Sequence, residues 1–169
     1  QPFGGGGLSG TGPKAGGPLY MLRMLSARPD DAMARAVADA APASHPALSA
    51  LARWADATGR PALSARCALF AAQSRSGSSR TLAGPTGERN VYRLEPREAV
   101  LCLADAEEDR LTQLAAVLAV GSGAIWPADA AAQSLRASLP AEVQQNVAIA
   151  SDWSSDTVAA ARKADDLAL

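Results

Sequence analysis

Short apolar runs alternate with helical segments in the second half of the chain, and this alternation constrains the fold more than any other feature. Residues 99–104 form a continuous apolar run, which is typical of a parallel strand buried on both faces. Residues 107–120 follow, with acidic residues first and apolar residues spaced along one helical face. The strand signal returns at residues 123–126 and 147–150, and a helix is predicted after each. This succession predicts an open, mostly parallel sheet with right-handed crossovers.

The predicted α/β pattern is incomplete at its end. Helices are expected from Pro127 to about Leu139 and over residues 156–164. Residues 167–169 resemble the start of a fourth strand that is cut off. Because the chain also begins at Gln1 inside an apparent motif, we expect it to be a piece of a longer protein.

The first half of the chain predicts helices instead of a sheet. Prolines stand at early helical positions of three segments, residues 29–40, 45–57 and 61–73. Residues 18–25 are apolar and short, so their pattern fits a short helix or an extended segment. Residues 74–87 are rich in Ser, Arg and Gly and predict a loop at a domain boundary, and residues 91–94 alternate like a strand.

The composition of the chain argues against several classes of protein, including nucleic-acid-binding and membrane-spanning proteins. The 16 basic and 17 acidic residues give a net charge of −1, which provides no general footprint for nucleic acid. Cys67 and Cys102 are far apart and lack metal-ligand spacing, so we expect both in the core and a reducing, cytoplasmic setting. No apolar run reaches the roughly 18 residues that a membrane helix needs, and the start does not resemble a signal peptide.

Eight of the 14 glycines precede Pro18, among larger apolar residues such as Phe3 and Leu8, which indicates a shaped loop more than a flexible linker. The spacing Gly5-x-Gly7-x-x-Gly10 matches a dinucleotide fingerprint, but only four residues precede Gly5 and that fingerprint requires a strand there. We therefore do not expect pyrophosphate binding by this loop.

The same residues carry a resemblance to a family. Residues 2–5, Pro-Phe-Gly-Gly, followed by a Ser-Gly, resemble the closing active-site loop of aldehyde dehydrogenases. The continuation Gly-Pro-Lys-Ala-Gly-Gly-Pro at residues 12–18 resembles the glutamate-semialdehyde dehydrogenase module of the proline utilization A family. Downstream, blocks of the chain resemble the C-terminal domain of the long members of that family, namely residues 84–90, 96–98, 100–105 and 111–121.

The resemblance implies a fold and a division into domains. Residues 1–28 would end the aldehyde dehydrogenase module, residues 29–83 would form a helical linker region, and residues 84–169 would form an incomplete Rossmann-like domain. The expected fold class is thus α/β, a helical segment followed by a Rossmann-like, mostly parallel sheet that is truncated.

The resemblance also implies the chemistry of a parent enzyme. That parent oxidises proline with FAD, oxidises the resulting glutamate semialdehyde to glutamate with NAD, and channels the intermediate between its sites. Phe3, Gly4 and Gly5 would bind the aldehyde substrate, with Phe3 packing on its aliphatic chain. No catalytic, cofactor-binding or metal-binding residue is expected in this segment. Its expected partners are the upstream catalytic domains of the same polypeptide and other copies of the parent, which would work in the cytoplasm or at the inner face of the membrane.

Several residues allow a second interpretation. Asp105 follows a predicted parallel strand, where open sheets bind ligands, but the acidic turn after it has no glycine and would repel phosphate. His45, the only histidine, is expected to be solvated at a helix start. Trp126 and Trp153 could pack in the core or against another domain. The alternative function is a free-standing Rossmann-like module that binds a nucleotide or a partner.

Overall fold

The computed structural model describes residues 20–27, 29–32, 45–82 and 86–151. These residues fall into two compact units. Among the described residues, the smaller unit holds 20–27, 29–32, 75–82 and 86–95, and the larger unit holds 45–74 and 96–151. The predicted site loop and the predicted helix at 156–164 lie outside the described residues, and the helix predicted at 29–40 is described only to Ala32.

The smaller unit contains a short 3-10 helix, Tyr20–Met24, and an antiparallel hairpin of β1 (Ser79–Leu82) and β2 (Asn90–Arg93). The sequence predicted β2 but assigned β1 to a loop, so that part of the prediction is wrong. The polar run of β1 has no apolar alternation of its own. It becomes a strand because its backbone pairs with β2, and the bond from Leu94 N to Ser78 O at 3.0 Å extends the ladder.

The larger unit begins with two helices, α1 (Pro46–Ala57) and α2 (Pro61–Gln73), as predicted. Strand β3 (Ala99–Leu101), helix α3 (Glu107–Ala119) and strand β4 (Gly123–Pro127) follow. The chain continues through helix α4 (Ala130–Ser138), the short helix α5 (Ala141–Gln144) and strand β5 (Val147–Ala150).

The three strands of the larger unit pair in parallel in the order β3-β4-β5. Ala99 pairs with Gly123, and Ala124 pairs with Val147. The prediction of a mixed α/β fold, helices followed by a parallel sheet, is confirmed. The structure differs at Pro127, which ends β4 instead of opening the next helix, because Asp129 supplies the N-cap two residues later.

One core joins the helices and the sheet of the larger unit. Helices α1 and α2 pack against each other and against α3, and α1 also contacts α5. Trp126 on the central strand is fully buried. The other large side chains that are almost fully buried are aliphatic: Leu51, Leu63, Leu111, Leu114, Leu118 and Val143. Burial of each such side chain is worth about 1.5–3 kcal/mol, so these contacts dominate the stability of the unit.

Arg60, in the turn between α1 and α2, adds a polar contact to α3. Its guanidinium donates to Glu108 at 2.8 Å and to Glu107 at 2.5 Å, and its Cζ lies 5.4 Å from the ring centre of Trp54. Acidic residues in the first turn of a helix are favourable there. Because both carboxylates are exposed, the pairs orient the turn more than they stabilise the fold.

Helices α1 and α3 end in the same way, each with a glycine at positive φ. Gly59 has φ +71° and Gly121 has φ +78°. In each case the next residue donates back across the last turn, from Arg60 N to Ala55 O at 2.8 Å and from Ser122 N to Val117 O at 3.1 Å. This is the Schellman arrangement, which satisfies carbonyls at the helix end.

The two glycines differ in their surroundings, and this difference gives a matched test. A Cβ on Gly121 would lie 2.5 Å from Cε1 of His45, whereas a Cβ on Gly59 would meet nothing within 4 Å. Gly59→Ala should therefore cost only the conformational penalty, about 1 kcal/mol. Gly121→Ala should cost that penalty plus the displacement of the imidazole, about 3 kcal/mol in total. Urea denaturation of both variants measures the difference.

The double variant His45→Ala/Gly121→Ala supplies the control for this comparison. Removal of the imidazole should reduce the effect of the second substitution to that seen at Gly59. Equal losses for Gly59→Ala and Gly121→Ala would contradict the packing of His45 on Gly121.

Candidate functional site

The residues predicted to bind substrate, Phe3, Gly4 and Gly5, lie outside the described residues. Their role in an aldehyde pocket stays a prediction. The described residues contain three other candidate sites. These are the two cysteines, the carboxyl edge of the parallel sheet and a cleft at the amino edge of that sheet.

The cysteines pack in the core, as predicted. Cys67 on α2 and Cys102 after β3 are 1% and 2% exposed, and both are free thiols. The pKa of each thiol is raised to about 11, by burial at both cysteines and in smaller part by the charge of Asp56 at Cys67. Since the thiolate is the nucleophilic form, neither cysteine is activated near neutral pH.

The carboxyl edge of the parallel sheet is occupied by the side chain of Arg110. Nε of Arg110 donates to the carbonyl of Ala104, after β3, at 3.0 Å. The other two guanidinium nitrogens donate to the carboxylate of Asp129, after β4, at 3.1 and 3.4 Å. The guanidinium carbon lies 5.7 Å from the ring centre of Trp126. Arg110 is only 2% exposed, so it fills the space between the ends of two adjacent strands.

Asp129 holds two elements at this edge. Its carboxylate accepts from Ala132 N at 2.6 Å, which caps α4, and it also pairs with Arg110. The Ala132 N–H and then the Arg110 guanidinium hold the pKa of Asp129 below its ordinary value. Both contacts favour the ionised carboxylate.

This arrangement is poorly suited to a nucleotide. Open α/β sheets bind ligands at the carboxyl ends of their strands, often with a glycine-rich turn that lets a phosphate reach backbone N–H groups. Here a paired arginine takes that position, and Asp105 beside it is exposed and followed by three acidic residues of α3. Sequence analysis missed Arg110, because an arginine in an acidic first turn resembles a surface residue. Of the two partners, only Asp129 could be recognised from the sequence, because aspartate is a preferred N-cap residue at the start of a helix.

Asp129→Ala should lower the free energy of unfolding, because it removes a helix cap and leaves the buried Arg110 charge unpaired. Asp105→Ala, at the same edge but exposed, should change it by less than about 0.5 kcal/mol. Urea denaturation at pH 7 measures both. A loss at Asp129 no larger than at Asp105 would contradict the structural role of the pair.

The depressed pKa of Asp129 adds a pH dependence. A carboxylate whose pKa is lower in the folded state stabilises the fold above the unfolded pKa, and that contribution is lost as the pH falls through the folded value. The unfolding free energy of the wild-type chain should thus fall more steeply than that of Asp129→Asn on acidification below about pH 4.

The third place is a cleft of about 320 Å³ at the amino edge of the sheet, within the larger unit. It lies beside the last turn of α3 and the residues that precede β4 and β5. Its polar lining comes from His45, Ser122, Glu142, Gln145 and Asn146, and its apolar lining comes from Pro46, Ala47 and Leu118.

Two polar atoms of the lining residues, Nε2 of His45 and Oγ of Ser122, are buried and have no hydrogen-bond partner among the described residues. His45 was predicted to be solvated, but its imidazole packs on Gly121 instead. Sequence analysis could not find this contact, because α1 and α3 are brought together only by the core. A buried polar group without a partner costs about 1–3 kcal/mol, so the pair of atoms requires an explanation.

Among residues 20–27, 29–32, 45–82 and 86–151, no group of three or more His, Cys, Asp or Glu is arranged to hold a metal ion. The helices in this part of the chain are all too short or too polar to cross a membrane.

Comparison with known proteins gives relatives over most of the chain. The chain is 51% identical to the bifunctional protein PutA of Klebsiella aerogenes over 89% of its length, and equally similar to that of Escherichia coli strain K12. It is 38% identical to the bifunctional protein PutA of Rhizobium meliloti over 92% of its length. No protein-family model matches the chain.

The chain spans only 12% of the length of each of these relatives. The similarity is nevertheless far above the level at which chance could produce it over so many residues. The chain is therefore homologous to a segment, 12% in length, of bifunctional PutA proteins.

Proposed function

We propose that this chain is the C-terminal part of a bifunctional proline-catabolic enzyme, in which it completes the aldehyde pocket and covers or assembles the catalytic domains. The parent oxidises proline with FAD and glutamate semialdehyde with NAD. Support comes from the homology to bifunctional PutA and from the order of the matching blocks, a pocket loop first and a sheet domain after it.

Within this proposal, residues 1–28 belong to the aldehyde dehydrogenase module, residues 29–83 link it to the sheet, and residues 84–169 form the Rossmann-like domain. The parent acts as a homo-oligomer in the cytoplasm or at the inner face of the membrane. The segment itself binds neither NAD nor FAD and carries no catalytic residue.

The observation that carries the structural role is the Arg110–Asp129 pair at the carboxyl edge of the sheet. A Rossmann-like sheet that binds a nucleotide keeps this edge open. Here a 2% exposed arginine bonded to the ends of β3 and β4 occupies it, and both cysteines of the chain are buried as neutral thiols. A sheet without an open ligand edge and without an activated nucleophile is suited to packing against other domains. The same observation counts against the alternative, a free-standing nucleotide-binding module.

Deletion of everything after Gly84 from the parent enzyme tests the role of the sheet domain. NADH formation from proline should collapse, while reduction of an electron acceptor by proline should persist, because the proline-oxidising site lies elsewhere in the parent. Unchanged NADH formation would refute a covering or assembly role.

An added arm of the same experiment separates covering from assembly. If the domain covers the path of the intermediate, the truncated enzyme should still oxidise glutamate semialdehyde that is added to the solution. If the domain is required for assembly, that activity should fall as well, and the oligomeric state measured by light scattering should change.

Phe3→Ala in the parent enzyme tests the pocket. Loss of an aromatic contact with the aliphatic chain of the substrate should lower kcat/KM for glutamate semialdehyde about 10- to 100-fold, the effect of about 1–3 kcal/mol. Phe70→Ala is the matched control, since Phe70 is the only other phenylalanine and packs beside the helical core. Equal kcat/KM losses in the two variants would refute a substrate contact by Phe3.

A further inference from the structure

The cleft beside His45 differs from the Arg110–Asp129 pair, because two of its buried polar atoms have no hydrogen-bond partner among the described residues. Ser122 is 2% exposed and its hydroxyl has no partner within the part of the chain that the structure describes. Nε2 of His45 is likewise buried and has no hydrogen-bond partner among the described residues. Both residues line one cleft with the carboxylate-bearing Glu142.

These three side chains offer the same kind of hydrogen-bonding atom. A carboxylate accepts only, a serine hydroxyl can accept, and a neutral imidazole with its proton on Nδ1 accepts at Nε2. A primary ammonium group has three N–H donors and no acceptor, so it can donate to groups of this kind.

The charge of the cleft also favours a cation. Glu142 brings the one carboxylate of the lining, and neither lysine nor arginine is among the lining residues. The last turn of α3 ends at the cleft, and the carbonyl end of a helix carries a partial negative charge. A phosphate or carboxylate ligand would be repelled by the Glu142 carboxylate, and the lining holds no cationic side chain of lysine or arginine to offset that repulsion.

The apolar walls set the shape of the ligand. Pro46, Ala47 and Leu118 also line the cleft, and its volume of about 320 Å³ is sufficient for a short aliphatic chain. We propose that this cleft binds a primary ammonium group on a short apolar stem. Such a group is present on a free small amine and on a lysine side chain.

The only histidine of the chain provides a direct probe of this site. The Hε1 proton of His45 gives a single NMR signal, which can be followed while n-butylammonium chloride is added to the 169-residue chain at constant ionic strength. We expect a saturable shift of this signal. The neutral isostere n-butanol should cause no saturable shift, since it lacks the charge and two of the three donors.

Substitutions identify the groups that bind. Glu142→Gln and Ser122→Ala should each weaken binding of n-butylammonium at least about 5-fold, in keeping with the loss of one hydrogen bond or charge contact. Glu95→Gln is the matched control, because it removes the same charge from an exposed position in the other unit and should leave the affinity unchanged. Glu142 is exposed, so its substitution should not perturb the fold.

A second ligand distinguishes the two sources of the group. Nα-acetyl-lysine N-methylamide should bind at least as tightly as n-butylammonium if a lysine side chain is the natural occupant, and more weakly if the occupant is a free amine. Absence of a saturable shift with both ligands would overturn the proposal. So would an equal response to n-butanol, or an affinity that Glu142→Gln does not change.

Discussion

The buried charge of Arg110 is the constraint on which the carboxyl edge of the sheet depends. A charged group removed from water must be paired, because the cost of leaving it alone is several kcal/mol. Asp129 supplies the pair, and its position fixes the start of α4 at the same time. The guanidinium also lies over Trp126, the largest fully buried side chain. Strand ends, helix cap and core are thus fixed by one interaction.

The opposite edge of the sheet is held in a different way. There the close approach of His45 to Gly121 joins the start of α1 to the end of α3, and it requires a residue without a Cβ. Beside this contact, Nε2 of His45 and Oγ of Ser122 have no hydrogen-bond partner among the residues that the structure describes. At one edge of the sheet the buried charge is paired, whereas at the other edge two unpaired polar atoms retain hydrogen-bonding capacity beside a cleft. The proposed ligand site therefore lies at the amino edge, whereas open α/β sheets usually bind ligands at the carboxyl edge.

The homology to a short segment of bifunctional PutA and the closed carboxyl edge support one interpretation of the chain. In the proposed function, a segment with two buried thiols and an arginine at the carboxyl edge of its sheet contributes to a larger enzyme by its surface. The proposed pocket loop is the exception, since Phe3 would touch the substrate of the neighbouring module.

Local sequence patterns were sufficient to predict those helices and strands whose signal lies within one short segment of the chain. Prolines at the first turn predicted the starts of α1 and α2, and continuous apolar runs predicted the parallel strands. They were insufficient for β1, which has no strand signal of its own and depends on pairing with β2. The short helix α5 was missed as well, because four residues carry too little periodicity to be recognised.

The sequence by itself determined the fold class and the burial of both cysteines, since hydrophobic periodicity and helix punctuation are properties of neighbouring residues. The tertiary structure decided the state of the two sheet edges. Arg110 and Asp129 are 19 residues apart, and His45 lies far along the chain from Gly121, so only the packing of α1, α3 and the sheet brings each pair together. Contacts between distant residues depend on how elements pack, and no local pattern in the chain encodes them.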